Sequence, residues 1–260
     1  VLPDGSVAAD DGVWLGDGGT VPPGTDDEAL FQDALARYNA AQYAEAQARF
    51  DALLAAFPTS RRHDNAGYLA GRCRYELGDF AGAITALVAM RAAHPTSPFI
   101  GAAAYFTGRS RFALLDYAGA LPDFRASVVA SPTGVFADNA AYYVGRACFE
   151  LGDFTSAQTE FARFPTTYPA SPYLDNALYY LGRARYALGD LAGALADFEA
   201  LLATYPASQY RDNALAYEAR VYADQGDCVT ARAKLATLRA TFPASTAIAP
   251  AEAHLVARSC

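Results

Sequence analysis

The stretch from Ser171 to Pro206, SPYLDNALYYLGRARYALGDLAGALADFEALLATYP, returns with the same landmarks when shifted by 37 residues in either direction. Pro58, Pro95, Pro132, Pro169, Pro206 and Pro243 stand at that period, as do Ala46, Ala83, Ala120, Ala157, Ala194 and Ala231. Gly71, Gly108, Gly145 and Gly182 form a third row. A recurrence this strict marks a repeat architecture, in which each unit is one supersecondary element that needs its neighbours to complete a core.

Within the unit, Ser171 reads as an N-cap with Pro172 at the first helical position, where a missing N–H costs nothing. Leu174, Leu178, Leu181, Gly182 and Tyr186 then recur at helical spacing. Gly189 stops this helix and Asp190 is placed to cap a second one. That second helix carries Leu191, Ala194, Leu195, Phe198, Leu201 and Leu202 on one face, and Tyr205-Pro206 ends it. Each unit is therefore two antiparallel helices joined by a short turn.

These residues resemble the tetratricopeptide repeat. The family's pattern of a large residue, Leu-Gly, an aromatic, Gly-Asp-aromatic, Ala, aromatic and Pro is met by Leu178, Leu181-Gly182, Tyr186, Gly189-Asp190-Leu191, Ala194, Phe198 and Pro206. The usual period is about 34 residues. The three additional residues here are expected between the proline and the first helix, lengthening that helix by about a turn. With its Y-P-x-S-x-x-x-D-N-A junctions, the chain is similar to periplasmic repeat proteins of Gram-negative envelopes. Among these it resembles the YbgF/CpoB proteins of the Tol-Pal system and the BamD-type lipoproteins of outer-membrane assembly. The resemblance spans about residues 26–258 and implies an all-α, right-handed superhelical solenoid with protein partners.

Thr25-Asp26-Asp27-Glu28 is a capping box that opens the first helix. Six pairs are predicted over about 26–56, 61–93, 98–130, 135–167, 172–204 and 209–241, with a closing helix over 246–258. Together they make a single array over 26–260, with repeats of about 26–60, 61–97, 98–134, 135–171, 172–208 and 209–245. Two units depart from the pattern. Leu115 stands where a turn glycine is expected and Pro122 enters a second helix, which predicts a kink; Pro165 is expected to end the fourth pair's second helix near Arg163. Residues 1–25, rich in Gly, Asp and Pro, read as a flexible leader. Its Val13-Trp14-Leu15 cluster is either part of a disordered tail or a short anchor for the array or a partner.

The chain is 53% hydrophobic and 18% charged, with a net charge of −8. That acidity argues against nucleic acid and anionic membranes as partners, and no apolar run reaches the ~18–20 residues of a membrane span. Val1 is not an initiator methionine and no signal peptide follows, so the sequence reads as a processed or trimmed form.

No catalytic constellation emerges. His63, His94 and His254 fall in different repeats without metal-ligand spacing, and no phosphate loop or C-x-x-C motif is present. The expectation is a non-enzymatic protein with no cofactor and no metal. Cys73 and Cys148 lie at different registers and read as small packing residues. Cys228 opens the sixth pair's second helix and Cys260 follows the closing helix. Antiparallel packing of those helices would bring the two thiols level, predicting a disulfide, against the bland reading of Cys260 as a loose terminal residue.

One pattern recurs beyond the needs of packing. Asn65, Asn139, Asn176 and Asn213 share a register; three residues on stand Tyr68, Tyr105, Tyr142 and Tyr179; four further on stand Arg72, Arg109, Arg146, Arg183 and Arg220. The spacing i, i+3, i+7 puts each set on one stripe of a first helix. In the family this stripe lines the concave groove at the usual ligand-contact positions, so the resemblance implies an Asn/Tyr/Arg groove for a protein or peptide of the cell envelope. The family's Lys-containing carboxylate clamp is not reproduced. Alternatively Asp64, Asp138, Asp175 and Asp212 bridge to arginines of the next repeat and merely hold the register. Three functions stay open: a periplasmic binding scaffold, an oligomerisation module (a homo-oligomer with an empty groove), and a tethering regulator of a peptidoglycan enzyme. The periplasmic location follows from the resemblance, which allows a lipid anchor upstream of Val1.

Overall fold

The computed structural model describes residues 26–260, and among them thirteen α-helices follow one another without a strand. They are α1 (Asp26–Asn39), α2 (Tyr43–Ala56), α3 (His63–Glu76), α4 (Phe80–Ala93), α5 (Ile100–Ala113), α6 (Tyr117–Ala130), α7 (Ala137–Glu150), α8 (Phe154–Thr167), α9 (Leu174–Ala187), α10 (Leu191–Thr204), α11 (Arg211–Asp224), α12 (Cys228–Thr241) and α13 (Ile248–Ala257). The fold is an all-α tetratricopeptide-repeat solenoid. The expected leader, its Val13-Trp14-Leu15 cluster and the Thr25 cap lie outside the described residues.

Within each repeat the turn and the second helix have a local cause. Asp79, Asp116, Asp153, Asp190 and Asp227 each accept the N–H three residues on, at 2.9–3.0 Å, which satisfies one orphan donor of the helix start. The residue before each aspartate takes a left-handed conformation: Gly152 has φ +78° and Gly189 has φ +81°. Leu115 occupies the same conformation at φ +62° without glycine's freedom, so its turn is formed at a backbone cost.

Three local expectations are corrected. The first helices start two residues later than the Ser-Pro reading places them. α9 begins at Leu174, and Ser171 Oγ instead accepts the N–H of Tyr173 at 3.1 Å, closing a hydroxyl turn. The additional residues of the long repeat therefore sit in these turns rather than lengthening the helix. Pro165 does not end α8, which runs to Thr167. The proline removes one hydrogen bond in the last turn, while Phe164, 1% exposed, and the Tyr168 N–H bonded to its carbonyl at 2.8 Å hold the turn together. Pro122 lies inside α6, which ends at Ala130 as the bounds of that pair expect.

The described residues form two compact units that divide within α7, after Ala140. In the first, Phe31, Ala46, Phe50, Leu53, Leu69, Leu87 and Phe124 are fully buried. In the second, Phe161, Phe164, Ala194, Phe198, Leu201 and Leu238 fill the same role. Helix pairs approach closely at glycine. A Cβ on Gly145 would lie 2.7 Å from the Phe161 ring, and one on Gly182 would lie 2.8 Å from Phe198. α13 closes the second unit through Ala251 and Leu255, packed with Leu235 and Leu238. A disulfide joins Cys228, the first residue of α12, to Cys260, with the Cα atoms 4.9 Å apart.

Candidate protein-binding face

The repeated polar set occupies α3 (Asn65, Tyr68, Arg72), α5 (Tyr105, Arg109), α7 (Asn139, Tyr142, Arg146), α9 (Asn176, Tyr179, Arg183) and α11 (Asn213, Arg220). Its tyrosines are core residues. Tyr68, Tyr105, Tyr142 and Tyr179 are 2%, 1%, 2% and 5% exposed. Each stacks on the aromatic that precedes the next first helix: Tyr68 on Phe99 at 5.3 Å, Tyr105 on Phe136 at 4.8 Å, Tyr142 on Tyr173 at 4.8 Å, Tyr179 on Tyr210 at 4.4 Å. Their opposite flanks meet second helices, with Tyr142 at 6.0 Å from Phe161 and Tyr179 at 6.3 Å from Phe198. This corrects the expectation of rings offered to a ligand. An aromatic of this size gains more by interrepeat stacking than by solvent contact. Phe99, Phe136, Tyr173 and Tyr210 share the 37-residue period, so the sequence carried this signal unread. Burial pushes the Tyr179 hydroxyl well above its ordinary range.

The hydroxyls of Tyr68, Tyr105 and Tyr142 each serve as a pedestal for the arginine four residues on. Arg109 donates to Tyr105 at 2.8 Å, Arg146 to Tyr142 at 3.1 Å and Arg72 to Tyr68 at 3.4 Å. Arg72 is buried, lies 3.7 Å from the Phe106 ring centre and pairs with Glu76 at 2.8 Å. Arg146 repeats this with Glu150 at 3.0 Å and the Tyr180 ring at 4.2 Å. Arg109, Arg146, Arg183 and Arg220 are half-buried and keep part of their surface in solvent.

Of the amides, Asn65 and Asn176 are buried, whereas Asn139 and Asn213 are half-buried. Asn139 Nδ2 donates to Tyr105 at 3.3 Å, and Asn213 Nδ2 donates to Asp212 at 3.0 Å. The half-buried members of the set are thus Arg109, Arg146, Arg183, Arg220, Asn139 and Asn213, and its tyrosines are buried. The alternative aspartate–arginine ladder is not met at Asp64 and Asp212. Asp64 and Asp212 accept the hydroxyls of Ser97 and Ser245 in the turns that lead into α5 and α13, at 2.7 and 2.6 Å, and the backbone N–H of Asn65 and Asn213 beside them.

The histidines engage one another or acids: His63 Nδ1 lies 2.9 Å from His94 Nε2, and His254 lies 2.8 Å from Asp224. Burial and the neighbouring His94 hold His63 below its ordinary pKa. Sequence spacing did not foresee this pair, which forms because the start of α3 and the end of α4 lie side by side. Among the described residues no three His, Cys, Asp or Glu side chains converge on a metal position. Burial pushes the Cys73 thiol up to about 12, as befits a packing residue.

A family model described as YfiO, outer membrane lipoprotein, matches residues 23–117 and again residues 101–217. None of the curated proteins matches the chain. Among solved structures, a tetratricopeptide repeat protein from Parabacteroides merdae ATCC 43184 is similar at TM-score 0.65 and 15% identity, over 83% of this chain and 79% of its own. PilW, described as a widely conserved type IV pilus biogenesis factor, is similar at TM-score 0.62 and 19% identity, over 87% and 98%. Pseudomonas aeruginosa pilF is similar at TM-score 0.61 and 14% identity, over 87% and 96%. At these identities the likeness establishes the fold. No helix among the described residues is long and apolar enough to cross a membrane.

Proposed function

The chain belongs to the YfiO family of outer membrane lipoproteins, and from that membership we propose that it is a non-enzymatic scaffold of the cell envelope, working on the periplasmic side. It holds a protein or peptide partner against the first-helix face of its repeats. The family match agrees with the resemblance to BamD-type lipoproteins.

The observation that carries this reading is the arginine row. Alanines and phenylalanines do the packing, yet Arg109, Arg146, Arg183 and Arg220 stay half-buried at one register. Tyr105 and Tyr142 hold Arg109 and Arg146 by hydrogen bonds, which lowers the entropy lost when a partner binds. Of the sequence-derived contact set, Arg109, Arg146, Arg183, Arg220, Asn139 and Asn213 remain the partner-facing residues. Asn65, Tyr68, Arg72, Tyr105, Tyr142, Asn176 and Tyr179 are buried.

The test is photocrosslinking in Gram-negative envelopes, with a benzophenone amino acid placed at Asn139 or Asn213 and, as control, at Val129, which is 81% exposed on a second helix. Discrete adducts with one protein at the two asparagine positions and none at Val129 are expected. Adducts that are equal at all three positions, or absent from the first two, overturn the reading.

A further inference from the structure

The arginine row is not uniform, and the difference lies in its counter-charges. Arg72 and Arg146 each carry a glutamate four residues on, Glu76 and Glu150, and pair with it. In α9 the equivalent position is Ala187, and among the described residues Arg183 makes no ion pair. In α11 the equivalent is Asp224, but its carboxylate already accepts from Tyr186 at 2.5 Å and His254 at 2.8 Å, and pairs with Arg258 at 2.6 Å. Arg220 likewise makes no ion pair among the described residues. Both cations stand in the unit that begins at Ala141.

Aromatic faces take the place of the missing acids. The Arg183 guanidinium lies 4.5 Å from the Phe149 ring centre and 5.1 Å from that of Tyr180. Arg220 lies 5.1 Å from Tyr186. Both address Tyr217, at 5.8 and 4.7 Å, so the two guanidinium groups share one ring. Phe198 stacks on Tyr217 at 5.1 Å and fixes it. Arg183 also hydrogen-bonds Tyr217, and Arg220 hydrogen-bonds Tyr186, so the partners of both are neutral. Ring quadrupoles offset part of the cost of half-burying a cation but do not neutralise it. Two neighbouring positive charges on one aromatic wall, in a chain of net charge −8, make a local anion site.

We propose that Arg183 and Arg220 are the anchoring point for an acidic segment of the partner polypeptide, whose side-chain carboxylates take the place that Glu76 and Glu150 fill beside Arg72 and Arg146. The planar fork of a guanidinium matches a carboxylate bidentately, and the aromatic wall excludes water from the pair. This rests on the scaffold reading above and assigns the chemistry of its ligand.

The experiment uses the full chain and a fluorescein-labelled twelve-residue peptide of alternating Glu and Ser, beside its counterpart with Gln for Glu, read by fluorescence polarisation. The Glu peptide is expected to bind at least tenfold tighter than the Gln peptide. The R183Q/R220Q variant is expected to lose at least tenfold for the Glu peptide, while R163Q, which removes a solvent-exposed charge on α8, changes binding less than twofold. Should the double variant melt early, phenylglyoxal labelling of the unaltered protein supplies the second measurement. Excess Glu peptide must then protect Arg183 and Arg220, read by mass spectrometry, and leave Arg163 reactive. Equal binding of the two peptides, an unaffected R183Q/R220Q, an equal loss in R163Q, or no protection overturns the proposal. The crosslinking test is independent of it: adducts at Asn139 and Asn213 without acidic-peptide binding would leave the scaffold standing and remove only the acidic anchor.

Discussion

Asp197 shows what burial does to a single charge in this fold. It sits on α10, 7% exposed, and accepts from Arg185 at 2.7 Å. Desolvation outweighs the Arg185 attraction and pushes its carboxyl up to about 6 from an ordinary 3.8. An acid whose folded pKa is raised binds its proton more tightly when folded. It therefore costs nothing below pH 4 and progressively weakens the fold as pH rises toward 6. Replacing Asp197 by Asn should remove this slope. Urea melts at pH 4 and pH 7 should show the unaltered protein losing roughly 2 kcal/mol relative to D197N across that window; parallel profiles would show that the Arg185 pair offsets the burial. The helix-contact glycines make the same point for volume. G182A adds a Cβ 2.8 Å from the Phe198 ring, and a loss of about 1–3 kcal/mol in denaturant midpoint is expected.

Helices here are set by caps at one end and by packing at the other. The aspartate caps recur in five second helices and were readable from the Gly-Asp turns alone. Pro165 was not, because a proline in a final turn removes only one hydrogen bond and Phe164 holds the turn against the core. It follows that P165A, which restores an N–H facing the Phe161 carbonyl, should stabilise α8. A gain of about 1 kcal/mol in urea unfolding, with unchanged helix content by circular dichroism, is the expected result. No gain would mean that the restored N–H finds no acceptor. The candidate face belongs to this scale too. Spacing placed Asn, Tyr and Arg on one stripe correctly, but a stripe has a floor and a rim, and spacing does not say which residue is which.

At the scale of the molecule, the chain closes its last repeat with a covalent link. α13 lies on α11 and α12, and Val256 on it is 76% exposed. The Cys228–Cys260 disulfide closes a separation of 32 residues, for which the chain-entropy model gives about 3–4 kcal/mol. C228S/C260S should lower the denaturant midpoint accordingly. Hydrogen exchange over residues 248–257 should rise before that of α9 and α10. If exchange there matched the rest of the second unit, α13 would be held by packing alone.

The sequence by itself determined the repeat, its period, the helix order and the turn chemistry, because each depends on residues close in the chain. Alanine and glycine rows, aspartate caps and left-handed turn positions act within one unit and recur from unit to unit with few departures, Leu115 among them. It also brought the polar stripe into view, since helical spacing is local. Only the tertiary structure decided that Tyr68, Tyr105, Tyr142 and Tyr179 stack on the next repeat, that Asp64 and Asp212 bind serines rather than arginines, and that Arg183 and Arg220 stand without an acid. Those outcomes turn on which side chains from different repeats compete for the same buried space and the same counter-charge. That competition is settled by three-dimensional packing, which a one-dimensional period does not encode.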